Sequence, residues 1–128
     1  MDAEQAGQVL AKCASYDRRK TGDADTIAWY EALSDLEYDD CIAAVVAHYA
    51  ETTDWIMPAH IRRHVRAIRA GRVQDTEIPP PPPELLRHPR AYCAALQAAE
   101  KAIADGRDPH AAMRAITRQA TRRELEAS

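Results

Sequence analysis

The chain has no phenylalanine, and only four glycines occur in 128 residues. Strand-rich folds need β-branched and aromatic runs punctuated by glycine turns, so these shortages disfavour them and point to helices. Cysteine is nearly as scarce. Cys13, Cys41 and Cys93 form no Cys-x-x-Cys pair, and any disulfide scheme leaves one over. That usage suits a reducing cytoplasm and reads as three core thiols. Long apolar runs are missing too, since no stretch approaches the roughly 18 residues of a membrane span. The opening MDAEQAGQVL is acidic and lacks the basic and apolar regions of a signal peptide, so the reading is neither export nor membrane insertion.

Catalytic punctuation is equally absent. The sequence carries no glycine-rich phosphate loop, no nucleophile elbow and no carboxylate pair in an apolar setting, so no catalytic residue, cofactor or enzymatic activity is expected. His60 and His64 stand at i, i+4, a metal-compatible spacing, but no Glu follows His60 and no cysteine pair completes a tetrahedral set. No metal site is expected. The cluster Asp35, Glu37, Asp39 and Asp40 lacks the spacing of a calcium loop and reads as a solvated connection.

What is present is helical periodicity. Asp2 suits an N-cap, and Val9, Leu10, Cys13 and Tyr16 then recur at 3-4 spacing up to Arg18-Arg19-Lys20, with Gly22 as the stop. Asp23 or Asp25 caps a second helix through Ile27, Trp29, Tyr30 and Leu33, whose broad apolar surface suits a central position. After an acidic connection from Asp35 to Asp40, a third helix carries Cys41, Ile42, Val45, Val46 and Tyr49. Trp55, Ile56 and Met57 lead into Pro58, which opens a fourth helix that stops at Gly71 and buries Ile61, Val65 and Ile68. Trp29, Leu33, Tyr49, Trp55, Pro58 and Ile61 are the expected core anchors.

Pro79 to Pro83 cannot be helix, and five residues of polyproline II at about 3.1 Å each make a semi-rigid spacer of roughly 15 Å. Beyond it, Pro89 starts a helix with Tyr92, Cys93, Leu96, Ala99 and Ile103 on one side, ending at Asp105-Gly106. Asp108-Pro109 starts a last helix, with Met113, Ile116 and Ala120 on its apolar face. The predicted architecture is all-α: a four-helix module over 1–72, a proline-rich linker over 73–88, and an αα-hairpin over 89–128. The hairpin's thin, alanine-rich face is left to pack on the first module, on a second copy, or on a partner.

Charge is segregated along this plan. Residues 1–57 carry twelve acids against four bases, whereas residues 58–73 carry Arg62, Arg63, Arg66, Arg69 and Arg72 with no acid. Arg114, Arg118 and Arg122 line the last helix at i, i+4. Guanidiniums bind phosphate and carboxylate alike, so these rows are the candidate contacts to a protein partner or to nucleic acid, unless the acidic segment takes them up inside the fold. The turn before Pro58 is too long for a helix-turn-helix reader, and Pro58-Ala59-His60 offers few base-reading side chains.

The stretch from Val9 to Ile68 resembles the N-terminal helical domain of phage replicative-helicase loader/inhibitor proteins. The residues that carry the resemblance are Leu10 and Ala11, Trp29-x3-Leu33-x2-Leu36, Ala43-Ala44-Val45-x2-His48-Tyr49, and Ile56-Met57-Pro58-Ala59-x-Ile61. The resemblance implies a phage DNA-replication adaptor, working in the cytoplasm of a bacterial host, that binds a replicative helicase of the DnaB type. In that family a flexible C-terminal segment engages the helicase, whereas here the chain predicts an ordered hairpin. Two other functions fit the charge pattern: a non-specific DNA-binding or regulatory protein, and a small host-takeover protein that inhibits a cellular enzyme.

Overall fold

The computed structural model describes residues 1–127, apart from the side chains of Leu125 and Ala127. It is all-α, and no strand occurs among the described residues. Six α-helices run in order: α1 Ala3–Asp17, α2 Asp23–Leu33, α3 Tyr38–Glu51, α4 Pro58–Asp75, α5 Pro89–Ala104 and α6 Pro109–Ala127, with a 3-10 helix Pro83–Arg87 between α4 and α5. Among the described residues no helix is long and apolar enough to cross a membrane. The chain divides into two compact units, Met1–Ile68 and Arg69 onward, so the division falls inside α4.

In the first unit, Asp2 caps α1 as its residue type predicts. Its carboxylate accepts from Gln5 N at 2.8 Å, and the Gln5 side chain returns the bond to Asp2 N. The stop is not Gly22 but Arg18, which takes the left-handed conformation (φ 57°). That conformation costs a non-glycine residue about 1 kcal/mol, and the bonds of its neighbour Arg19 to Asp17 hold it in place. Gly22 becomes the N-cap of α2, with the Asp25 carboxylate accepting from its N–H at 2.9 Å; Asp23 and Asp25, the two expected caps, both lie inside the helix.

One stripe of α2, Trp29 and Leu33, is buried, while Ile27 and Tyr30 are exposed. The broad buried surface expected of this helix is therefore corrected: α2 packs through a single stripe. The acidic connection is also shorter than expected, because α3 begins at Tyr38. Asp39 and Asp40 sit in its first turn, where carboxylates oppose the helix dipole favourably. Cys41, Ala44, Val45 and His48 form its buried row, and Val46 faces outward. These helices close with Leu10, Ile56, Ile61 and Val65 into one core, against which Leu36 and Tyr49 pack partly buried.

The second unit overturns two expectations. The fourth helix does not stop at Gly71 but continues to Asp75. Its last turns are tied to the end of α5: Arg69 pairs with Asp105 at 2.6 Å, and Arg72 donates to the Ala104 carbonyl at 2.9 Å. These bonds outweigh the roughly 1 kcal/mol a helical glycine costs. Residues 73–88 are also more than the semi-rigid spacer expected of them. Ile78 and Leu85, on either side of the prolines, pack with Ala95, Ala99 and Met113, and Pro79 is itself buried. The apolar residues that flank the proline run, rather than the run as a whole, belong to this unit's core.

The α5/α6 pair forms the expected hairpin, turning at Gly106 (φ 74°), with Asp108 accepting from His110 N at the start of α6. Ala95, Ala99 and Ala102 bury one row of α5, which leaves Cys93 on the outer side rather than in the core. Cys13 and Cys41 are buried, and burial pushes both thiols up to about 12. In the folded protein a maleimide should therefore label Cys93 alone, as read by mass spectrometry. Native labelling of Cys13 or Cys41 would contradict their burial.

Candidate functional site

The first unit's most organised polar cluster surrounds Arg19. Both Arg19 and Asp17 have side chains only 7% exposed and pair at 2.6 Å. The Arg19 Nε reaches both carboxylate oxygens at 2.9 Å, while its Nη2 also donates to the Ile56 carbonyl at 2.7 Å. Tyr49 donates its hydroxyl to Asp17 Oδ2 at 2.7 Å and accepts from Ile56 N at 3.0 Å. Burial alone would raise the Asp17 carboxyl, but the bonds from Arg19 and Tyr49 outweigh it and hold the group below its ordinary value. Burial and the same carboxylate push the Tyr49 hydroxyl up.

This cluster fixes the loop between α3 and α4. His48, buried on α3, donates from Nε2 to the Asp54 carbonyl at 2.7 Å, and His60 Nδ1 accepts from Met57 N at 2.9 Å. The loop is thus tied at Asp54, at both backbone groups of Ile56, and at Met57. What it presents is aromatic. Trp55 is 53% exposed and stacks on the Arg19 guanidinium at 4.2 Å, with Trp29 flanking the same guanidinium at 5.3 Å. Trp55 and Met57 are therefore surface residues, which corrects the expectation that Trp55 is a core anchor. Of the other anchors, Trp29, Leu33 and Ile61 are buried, while Tyr49 and Pro58 are partly so.

The arginine row of α4 does not act as one face. Arg62 forms a two-pronged pair with Asp35, each bond 2.8 Å, and also donates to the Ala32 carbonyl. Asp35 is held at about 2 by this partner. Arg69 and Arg72 serve the second unit, as described above. Of the five, only Arg63 and Arg66 are exposed. On α6, Arg118 and Arg122 are exposed, and Arg114 approaches Asp108 at 3.9 Å. His60 and His64 sit near the His48 ring, but no group of three His, Cys, Asp or Glu among the described residues is placed to hold a metal.

The second unit also carries an open groove of about 790 Å³ between the start of α5 and the later turns of α6. Its floor is Ala91, Ala94, Ile116 and Ala120. Arg87, Arg90 and Arg123 stand around it, and Glu124 on the same rim lies 3.6 Å from His88.

The chain matches no known family model, curated protein or solved structure. Its functional surfaces must therefore be judged on their own chemistry. Sequence periodicity alone missed the Trp55 loop. The one signal available was the basic run Arg18-Arg19-Lys20, which supplies the guanidinium under the indole but gives no hint of which residue it meets.

Proposed function

We propose that this protein is a non-catalytic adaptor of the helicase-loader kind, and that it binds a DnaB-type replicative helicase through the Trp55 loop of its first unit. The observation that carries the reading is the exposed indole stacked on a buried guanidinium that is itself bonded to Asp17 and to the Ile56 carbonyl. Binding hot spots are enriched in tryptophan, and an aromatic already fixed in place loses little further entropy on docking. The partner's identity rests on the resemblance. Of the residues that carry it, Leu10, Trp29, Leu33, Ala44, Val45, Ile56 and Ile61 lie together in the first unit's core.

The test is the affinity of purified replicative helicase for Trp55→Ala, measured by calorimetry. Truncation should cost about 2 kcal/mol, a roughly 30-fold weaker complex, because a hot-spot aromatic is lost. Helicity should stay intact, because the indole lies at the surface. Unchanged affinity would remove the loop from the interface. A second reading, binding to a nucleic-acid backbone, is favoured by α6, which places Arg114, Arg118, Arg122 and Arg123 in a stretch with no acid from Pro109 to Arg123. A chain that ignores the helicase but binds duplex DNA in a steeply salt-dependent way would select that reading.

A further inference from the structure

We propose that the groove of the second unit receives the outer face of α2 from a second copy of this chain, forming a head-to-tail association. The groove combines an apolar floor with three guanidiniums, Arg87, Arg90 and Arg123, against one carboxylate, Glu124, which faces His88. Such a site asks for a short helical face that is apolar at its centre and acidic at its edges. Helix-in-groove recognition reads anchors at i, i+3 and i+4, so two turns of helix are enough to fill it.

The chain itself carries such a face. On α2, Ile27 is 58% and Tyr30 is 37% exposed, although the residues are large and apolar. Asp23 and Glu31 are also exposed, and each stands four residues from Ile27, so Asp23, Ile27 and Glu31 form one row along the helix. No base lies between Asp23 and Leu33. The buried stripe, Trp29 and Leu33, points elsewhere, so this outer row is available to a partner. Charge complementarity extends beyond the contact: residues 1–68 carry twelve acids and seven bases, whereas residues 69–128 carry eight acids and ten bases. An acidic first unit and a basic second unit attract between copies in one orientation.

A contact between two different patches is heterologous, so copies join into a closed ring or an open chain according to the rotation between them. In either form, assembly rises with concentration. The patch is small compared with a standard interface, so association should be weak and screened as salt rises.

Sedimentation equilibrium of the full chain tests this, with Arg90→Glu/Arg123→Glu as the groove variant and Ile27→Asp as the α2 variant. The wild-type mass should rise with concentration at about 0.05 M salt and fall back at about 0.5 M. Each variant alone should associate at least about tenfold more weakly. Mixed together they should form a heterodimer, because the α2 variant supplies an intact groove and the groove variant an intact α2. All the substituted positions are exposed, and circular dichroism reports whether each variant folds. A wild-type chain that stays monomeric at about 1 mM, a groove variant that still associates, or a mixture that does not would each overturn the proposal.

Discussion

Replacing Arg19 by alanine is expected to destabilise the first unit by about 3 kcal/mol, the low end of the cost of breaking a buried ion pair from one side. The change removes one side chain and strands three groups. Asp17 keeps Tyr49 and the backbone N–H of residue 19 but loses its charged partner in a site where its own side chain is 7% exposed. The Ile56 carbonyl loses its guanidinium donor, and Trp55 loses the plane on which it stacks. Urea unfolding followed by tryptophan fluorescence would measure the loss, since Trp29 and Trp55 both flank the guanidinium. Arg62→Ala is the control. Its pair with Asp35 is 39% and 62% exposed, so solvent screens it, and the cost should stay within about 0.5 kcal/mol. Equal losses in the two variants would refute the assignment of Arg19 as the buried anchor.

The Asp17 cluster of the first unit and the Asp105 pairs of the second set a direction for pH. Asp17 and Asp105 are held below their ordinary value by their bonded cations, against the opposing effect of burial. A carboxyl depressed in the folded state contributes stability that is fully present above its unfolded value. That stability is lost as pH falls through the folded value. Stability should therefore be flat through neutrality and decline in acid below about pH 4, and Arg19→Ala should flatten part of the decline.

The helical class and most of the element starts were legible because they depend on local chemistry. Asp2, Pro58, Pro89 and Pro109 act at the positions where their side chains cap or begin a helix, and 3-4 spacing found Val9, Leu10, Cys13, Trp29, Leu33, Val45 and Ile61. What was illegible depends on residues far apart in the chain. Trp55 reads as core by its type, but its surface position is set by Arg19, thirty-six residues away. Arg62 reads as a partner-binding residue until Asp35 meets it. Gly71 carries the local signature of a helix stop, yet Arg69 and Arg72 bond to residues beyond the prolines and draw the helix on. The arginine row that looked like one surface is thus divided between internal pairs and two exposed members, Arg63 and Arg66. That division moves the candidate interface to the Trp55 loop.

Leu85→Ala should have a comparable effect on the second unit, about 3 kcal/mol, and should reveal what the proline run is for. Leu85 is 2% exposed in the 3-10 helix Pro83–Arg87, and its buried neighbours are Ala95, Ala99 and Met113. An alanine-rich face buries little area per residue, so one leucine supplies a large share of the apolar contact that holds α5 against α6. A unit of about 60 residues has a stability of only about 3–9 kcal/mol at typical values per residue, so such a loss consumes much of it. Hydrogen exchange read by mass spectrometry is the appropriate measurement, because it separates the two units. Amides of α5 and α6 should lose protection in Leu85→Ala, while those of α1 to α3, whose core contains none of these residues, keep theirs. Unchanged protection in α5 and α6 would mean that the hairpin stands without the segment before it, and the prolines would then be a spacer after all. Loss of protection there would make the rigid run a structural part of the hairpin, holding Ile78 and Leu85 in place at little cost in chain entropy, since proline restricts the unfolded chain as well as the folded one.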